Sequence, residues 1–98
     1  MSKVLNKEEF SKEVLESKDI VLVDFYADWC GPCRMLSPIM EEIGKNNKVF
    51  KVNVDDEDEL AMEYGIMNIP CVIAFKDGEE LDRSVGLKSQ EEIERLIK

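Results

Sequence analysis

Cys30 and Cys33 are separated by Gly31-Pro32 and preceded by Trp29. Two thiols at this spacing can close a small disulfide ring with little chain rearrangement, and Pro32 fixes one backbone dihedral inside it. Such a pair suits dithiol–disulfide cycling, in which a thiolate attacks a disulfide sulfur and a second thiol resolves the intermediate. The same cysteines could supply half of a zinc site. There is no histidine and no second C-x-x-C, so Cys71 and a carboxylate would have to complete the tetrahedral set. A third reading, a non-catalytic partner or chaperone subunit, is disfavoured because both cysteines are intact.

The neighbouring segments determine how the thiols are presented. Ile20-Val21-Leu22-Val23-Asp24-Phe25-Tyr26 is β-branched, aliphatic and aromatic, and reads as a strand buried on both faces. Downstream, Met35, Leu36, Ile39, Met40 and Ile43 recur at helical spacing, which predicts a helix beginning at about Cys33. The thiols thus straddle a strand-to-helix junction, where unpaired N–H groups and the positive dipole end favour a thiolate. Cys30, just ahead of the helix and on the expected more exposed side, is the candidate attacking thiol. Pro38 removes a helical donor and is expected to kink the helix.

Asp24 is the one polar residue in its strand. Burial would raise its pKa and let it exchange protons near neutral pH; as an acid at a strand end it could equally be hydrated or satisfied by backbone. Lys51, in the alternating strand Val49–Val54, reads by itself as an exposed lysine. Pro70, ahead of the buried-type strand Cys71–Lys76, reads by itself as an ordinary trans proline at a strand start. The acidic run Asp55-Asp56-Glu57-Asp58-Glu59 could suggest a metal or a basic partner, but acidic residues favour a first helical turn and Leu60, Ala61, Met62 and Tyr64 follow.

Asn6 with Glu9, and Ser89 with Glu92, are capping boxes; Leu5 and Phe10 can form a hydrophobic staple across the first. Ser17-Lys18-Asp19 ends the first helix and Gly44 with Asn46-Asn47 the second. Asp77-Gly78 predicts a tight hairpin into an antiparallel strand through Leu81 and Val85, closed by Gly86. Ile93, Leu96 and Ile97 face the core from the last helix. The order β-α-β-α-β-α-β-β-α points to an α/β fold with a mixed central sheet flanked by helices.

At 98 residues with 44% apolar content, residues 1–98 suit a single domain. Thirteen Lys+Arg against 22 Asp+Glu give a formal net charge of -9, which disfavours nucleic acid and anionic lipid and favours a soluble monomer. No secretory signal or membrane-length apolar run is evident, so a cytoplasmic setting is expected. Three cysteines are too few and oddly numbered for a disulfide scaffold.

The segment Val23-Asp24-Phe25-Tyr26-Ala27-Asp28-Trp29-Cys30-Gly31-Pro32-Cys33 resembles the active site of the bacterial thioredoxin family. Lys51-Val52-Asn53-Val54-Asp55, Tyr64-Gly65-Ile66, Ile69-Pro70, Phe75-Lys76-Asp77-Gly78 and Val85-Gly86 follow in the family's order and spacing over essentially the whole chain. The resemblance implies a thioredoxin fold, with about five strands and about four helices, and protein disulfide reduction by Cys30 attack and Cys33 resolution. It implies that Asp24 is a buried acid beneath Cys33, that Lys51 lies near it, and that Ile69-Pro70 is a cis bond packed on the disulfide. Trp29, Gly31, Pro32, Ile69, Pro70, Val85 and Gly86 become the substrate-binding surface. No bound cofactor or metal is implied; electrons would come through a thioredoxin reductase, and Gly31-Pro32 resembles reducing rather than oxidising members.

Cys71, Asn68 and Tyr26 depart from the common family pattern of threonine, glycine and tryptophan. Cys71 has three open fates: an inert buried hydrophobe, a third exchangeable or regulatory thiol, or a partner for Cys33. The last is disfavoured, because Cys30 competes at far higher effective concentration.

Overall fold

Strand β2 (Val21–Tyr26) lies at the centre of a five-stranded mixed sheet ordered β1-β3-β2-β4-β5. The structure, a computed structural model, describes residues 2–98. β1 (Lys3–Val4) and β3 (Lys48–Asn53) run parallel to one another and to β2, while β4 (Cys71–Lys76) and β5 (Glu79–Val85) form an antiparallel hairpin on its other side. Helices α1 (Lys7–Phe10), α2 (Gly31–Ile43), α3 (Asp58–Glu63) and α4 (Gln90–Glu94) connect and flank the strands. This is the mixed five-stranded, four-helix architecture expected from the sequence.

The apolar residues of β2 alternate between two cores, because successive side chains leave a strand on opposite faces. Val21, Val23 and Phe25 pack with Phe10, Val14, Leu60, Ile73 and Phe75; Leu22 packs with Leu36, Met40, Ile43, Val72 and Ile93 on the other face. Each large side chain so enclosed contributes roughly 1.5–3 kcal/mol of burial free energy. Phe75 makes T-shaped contacts with Phe10 and Tyr64 at centroid separations of 5.6 and 5.3 Å, a geometry that aromatic quadrupoles favour.

Both capping boxes form, at Asn6–Glu9 and Ser89–Glu92, and Leu5 and Phe10 are each 1% exposed in one cluster. After α1 the helix widens: the Glu16 N–H reaches back five residues to Ser11 O. Ser11–Leu15 is consequently a π-helical turn, and α4 similarly tightens into a 3₁₀ turn at Arg95–Ile97. Asp77 and Gly78 take positive φ angles of 53 and 79°, the twist-compatible hairpin geometry that Asp-Gly favours. A Cβ on Gly78 would lie 2.8 Å from Leu15 O, so close backbone approach also selects glycine there.

Two sequence expectations are corrected in detail. α2 starts at Gly31, ahead of Cys33, because Cys30 caps it and Pro32 fits the first turn. α2 runs from Gly31 to Ile43 with Pro38 inside it. β3 begins and ends one residue earlier than Val49–Val54.

Candidate active site

The end of β2 and the first turn of α2 place the two redox cysteines in a disulfide, with Cα atoms 5.2 Å apart. Cys30 is the N-cap residue of α2, and its Sγ accepts the Cys33 N–H at 3.2 Å. Reduction would leave a Cys30 thiolate aimed at that donor and at the positive end of the helix, which lowers a thiol pKa. The Cys30 N–H bonds Ala27 O at 3.2 Å, and Arg34 Nη1 donates to Asp28 O at 2.7 Å. These bonds brace the loop between strand and helix.

Exposure does not separate the two thiols as expected. Cys30 and Cys33 are 4% and 3% exposed, because the Ile69 loop folds over the pair and brings Ile69 O within 3.8 Å of Cys30 Sγ. Their difference is electrostatic: the Cys30 sulfur sits at the helix mouth, whereas Cys33 lies within the first turn.

The Ile69–Pro70 bond is cis, and Ile69 packs against Ala27, Cys30 and Cys33. Pro70 O accepts the Gly86 N–H at 2.8 Å, bringing the end of β5 beside the redox pair. Val85 is 45% exposed there and Trp29, directly before Cys30, is 69% exposed. Pro32 is exposed in the first turn of α2, and no atom would crowd a Cβ at Gly31. Ile69 thus packs on the cysteines and Pro70, itself buried, ties Gly86 to the same loop, while Trp29, Gly31 and Pro32 flank the cysteines in the chain.

Asp24 is fully buried, and neither carboxyl oxygen has a hydrogen-bond partner among the described residues. Val72 is its register partner on β4, and Leu22 and Tyr26 share its sheet face toward α2. Burial pushes its pKa up to about 7, opposed by the positive charge of Lys51. Lys51 is the β3 register partner of Asp24 and, with Tyr26, Ala27, Asp28, Cys33, Arg34 and Ser37, lines a cleft of about 300 Å³. Sequence and fold therefore place a protonatable acid, a lysine and the inner cysteine on one face of the sheet.

Cys71 faces the other way. It packs with Phe25, Leu60, Ile73 and Phe75 at 1% exposure, and burial pushes its thiol up despite nearby Arg83. The intervening sheet keeps it from completing a zinc set with Cys30 and Cys33. Asp55 was missed as a site residue: Trp29 Nε1 donates to Asp55 Oδ2 at 2.9 Å, although the acidic run had read as a helix start. α3 begins only at Asp58, because Asn53 draws Asp55 and Asp56 into a turn. The signal available in the sequence was a lone asparagine ending an apolar strand just before paired aspartates.

The sequence model of the Thioredoxin family matches residues 1–98. The chain belongs to the thioredoxin family. It is 51% identical over 85 residues to a thioredoxin of Rickettsia felis, covering 83% of this chain and 81% of that one. With a thioredoxin of Chlamydia caviae it shares 44% identity over 100 residues, covering 99% and 96%. A solved mutant thioredoxin from Halobacterium salinarum superposes with a TM-score of 0.87 at 38% identity, covering 99% of this chain and 91% of that one. Thioredoxin-family membership and the paired Cys30 and Cys33 make the protein a thiol–disulfide oxidoreductase. Among the described residues, no helix is long and apolar enough to cross a membrane.

Proposed function

We propose that this thioredoxin-family protein is a general protein disulfide reductase, in which Cys30 is the nucleophile and Cys33 the resolving thiol. The observation that carries the assignment is the seat of Cys30 Sγ at the mouth of α2, 3.2 Å from the Cys33 N–H. In the reduced protein, the Cys30 thiolate attacks one sulfur of a substrate disulfide, forming a mixed disulfide and expelling the first substrate thiolate, which takes up a proton. Cys33 then loses its proton and attacks Cys30 Sγ. That step releases the second substrate thiolate and leaves the Cys30–Cys33 disulfide, so two electrons pass to the substrate.

Asp24 receives or relays the Cys33 proton, a role supported by its pKa of about 7, and Lys51 steadies its charged form. Trp29, Gly31, Pro32, Ile69, Pro70, Val85 and Gly86 form the substrate-docking surface. The single 1–98 domain works as a cytoplasmic monomer without a bound cofactor or metal, and engages neither nucleic acid nor membrane. Disulfide-containing proteins are its substrates; a thioredoxin reductase, an NADPH-dependent flavoenzyme, returns its electrons. An insulin reduction assay with candidate reductases tests this reading. Turnover is expected with a matched reductase and with a chemical dithiol; failure to reduce insulin with any electron source would overturn it.

A further inference from the structure

Among the described residues, Asn53 and Asp24 are the two buried polar side chains of the core, and the proposed redox steps use only Asp24. Asn53 ends β3 in register with Tyr26. Its Oδ1 accepts the backbone N–H groups of Asp55 at 2.9 Å and Asp56 at 3.3 Å. Its main-chain oxygen accepts the Glu57 N–H at 2.9 Å, so side chain and backbone together tie three of the next four residues into one turn. The turn is joined to β2 independently through the Val54 N–H on Tyr26 O. Its outer end is the Asp55 carboxylate, which accepts Trp29 Nε1 at 2.9 Å.

Trp29 is 69% exposed, so packing alone leaves its ring poorly held. A hydrogen bond donated by the indole to a fixed carboxylate restricts both ring torsions, and the position of that carboxylate is set by the turn. We infer that Asn53 is a positioning residue for substrate docking: through Asp55 it holds the Trp29 indole in place beside Cys30. The inference rests on the reading of Trp29 as part of the docking surface. Asn53 itself touches neither the substrate nor the thiols.

Trp29 is the single tryptophan of the chain, so indole fluorescence reports on this relay without interference. The test compares full-length wild type with Asn53→Ala, Asn53→Asp, Asp55→Ala, the Asn53→Ala/Asp55→Ala double variant and Trp29→Ala. Asn53→Ser replaces Asn53→Ala if the latter does not fold. Asn53→Ala is expected to make Trp29 more readily quenched by acrylamide. It should also lower kcat/KM on insulin about fivefold, mostly through KM, the effect of roughly one net hydrogen bond. Reduction of a small aryl disulfide should keep its wild-type rate.

Asp55→Ala should reproduce both changes and the double variant should add nothing further, as members of one relay do. Asn53→Asp, which retains the acceptor oxygen, should restore most of the quenching behaviour. Wild-type quenching in Asn53→Ala would overturn the inference, as would equal losses on both substrates or additivity in the double variant. Trp29→Ala tests the docking reading separately: wild-type insulin reduction by that variant would sink docking through Trp29, leaving the quenching comparison to decide whether Asn53 holds the indole.

Discussion

Asp24 and Lys51 are register partners across β2 and β3, yet the ammonium is committed to the Tyr26 ring, 4.3 Å from its centroid. Both Asp24 oxygens remain without a hydrogen-bond partner among the described residues. The lysine thus lowers the cost of an anion here without neutralising it. Desolvation prevails, and the acid titrates near 7 in place of 3.8.

The native state consequently holds a proton on Asp24 that the unfolded chain has released between about pH 4 and 7. The stability associated with that proton is full below the unfolded pKa and is lost as pH rises through the folded one. Asp24→Asn should be more stable than wild type at pH 8, by on the order of 4 kcal/mol, and the advantage should vanish toward pH 4. Urea melts at both pH values check this. Turnover should fall about a hundredfold, as for loss of a general base; a destabilised variant with normal turnover would contradict the role.

Cys30→Ser should abolish disulfide reduction, whereas Cys33→Ser should accumulate a mixed disulfide visible as a mass adduct of the substrate. In the reduced protein, alkylation at mildly acidic pH should mark Cys30 before Cys33, because only the Cys30 sulfur sits at the mouth of α2. Peptide mapping reads the order, and the reverse order would exchange the two roles.

The oxidised protein should show one free thiol after denaturation without reductant, and mapping should place it at Cys71. In the folded protein that thiol should label only as fast as the chain opens, because it is 1% exposed and burial raises its pKa. Rapid labelling under native conditions would instead mark Cys71 as an exchangeable third thiol.

Gly78→Ala should destabilise the fold by roughly 2 kcal/mol, combining the strain of positive φ with a close approach to the Leu15 carbonyl. Denaturant unfolding measures it. Gly65→Ala carries the φ strain without a crowded Cβ and should cost less; equal losses would show that the contact at Leu15 is inconsequential.

Most of the fold was legible because its signals are local. Asn6-x-x-Glu9, Ser89-x-x-Glu92 and Asp77-Gly78 specify caps and a hairpin through neighbours in the chain, and the apolar run through β2 marks a doubly covered strand. The redox pair was legible for the same reason. Asp24 was ambiguous because a strand pattern shows which residues alternate without showing what covers each face; α2 supplies the cover. The equal burial of Cys30 and Cys33 depends on the Ile69 loop, 39 residues away, and the bond from Trp29 to Asp55 spans 26. Such contacts exist only once the sheet has formed.

The alternation of β2 gives Asp24 a role before any electron moves. A one-residue slip of the strand would exchange its faces, carrying the carboxyl among the rings of Phe10, Tyr64 and Phe75 and turning Val23 and Phe25 toward α2. Protonation eases burial of the acid on its native face, beside Lys51 and the cleft under Cys33. Asp24 therefore also works as an index mark for sheet assembly, penalising misaligned pairings of a strand whose remaining core residues are uniformly apolar and by themselves tell one face from the other only weakly.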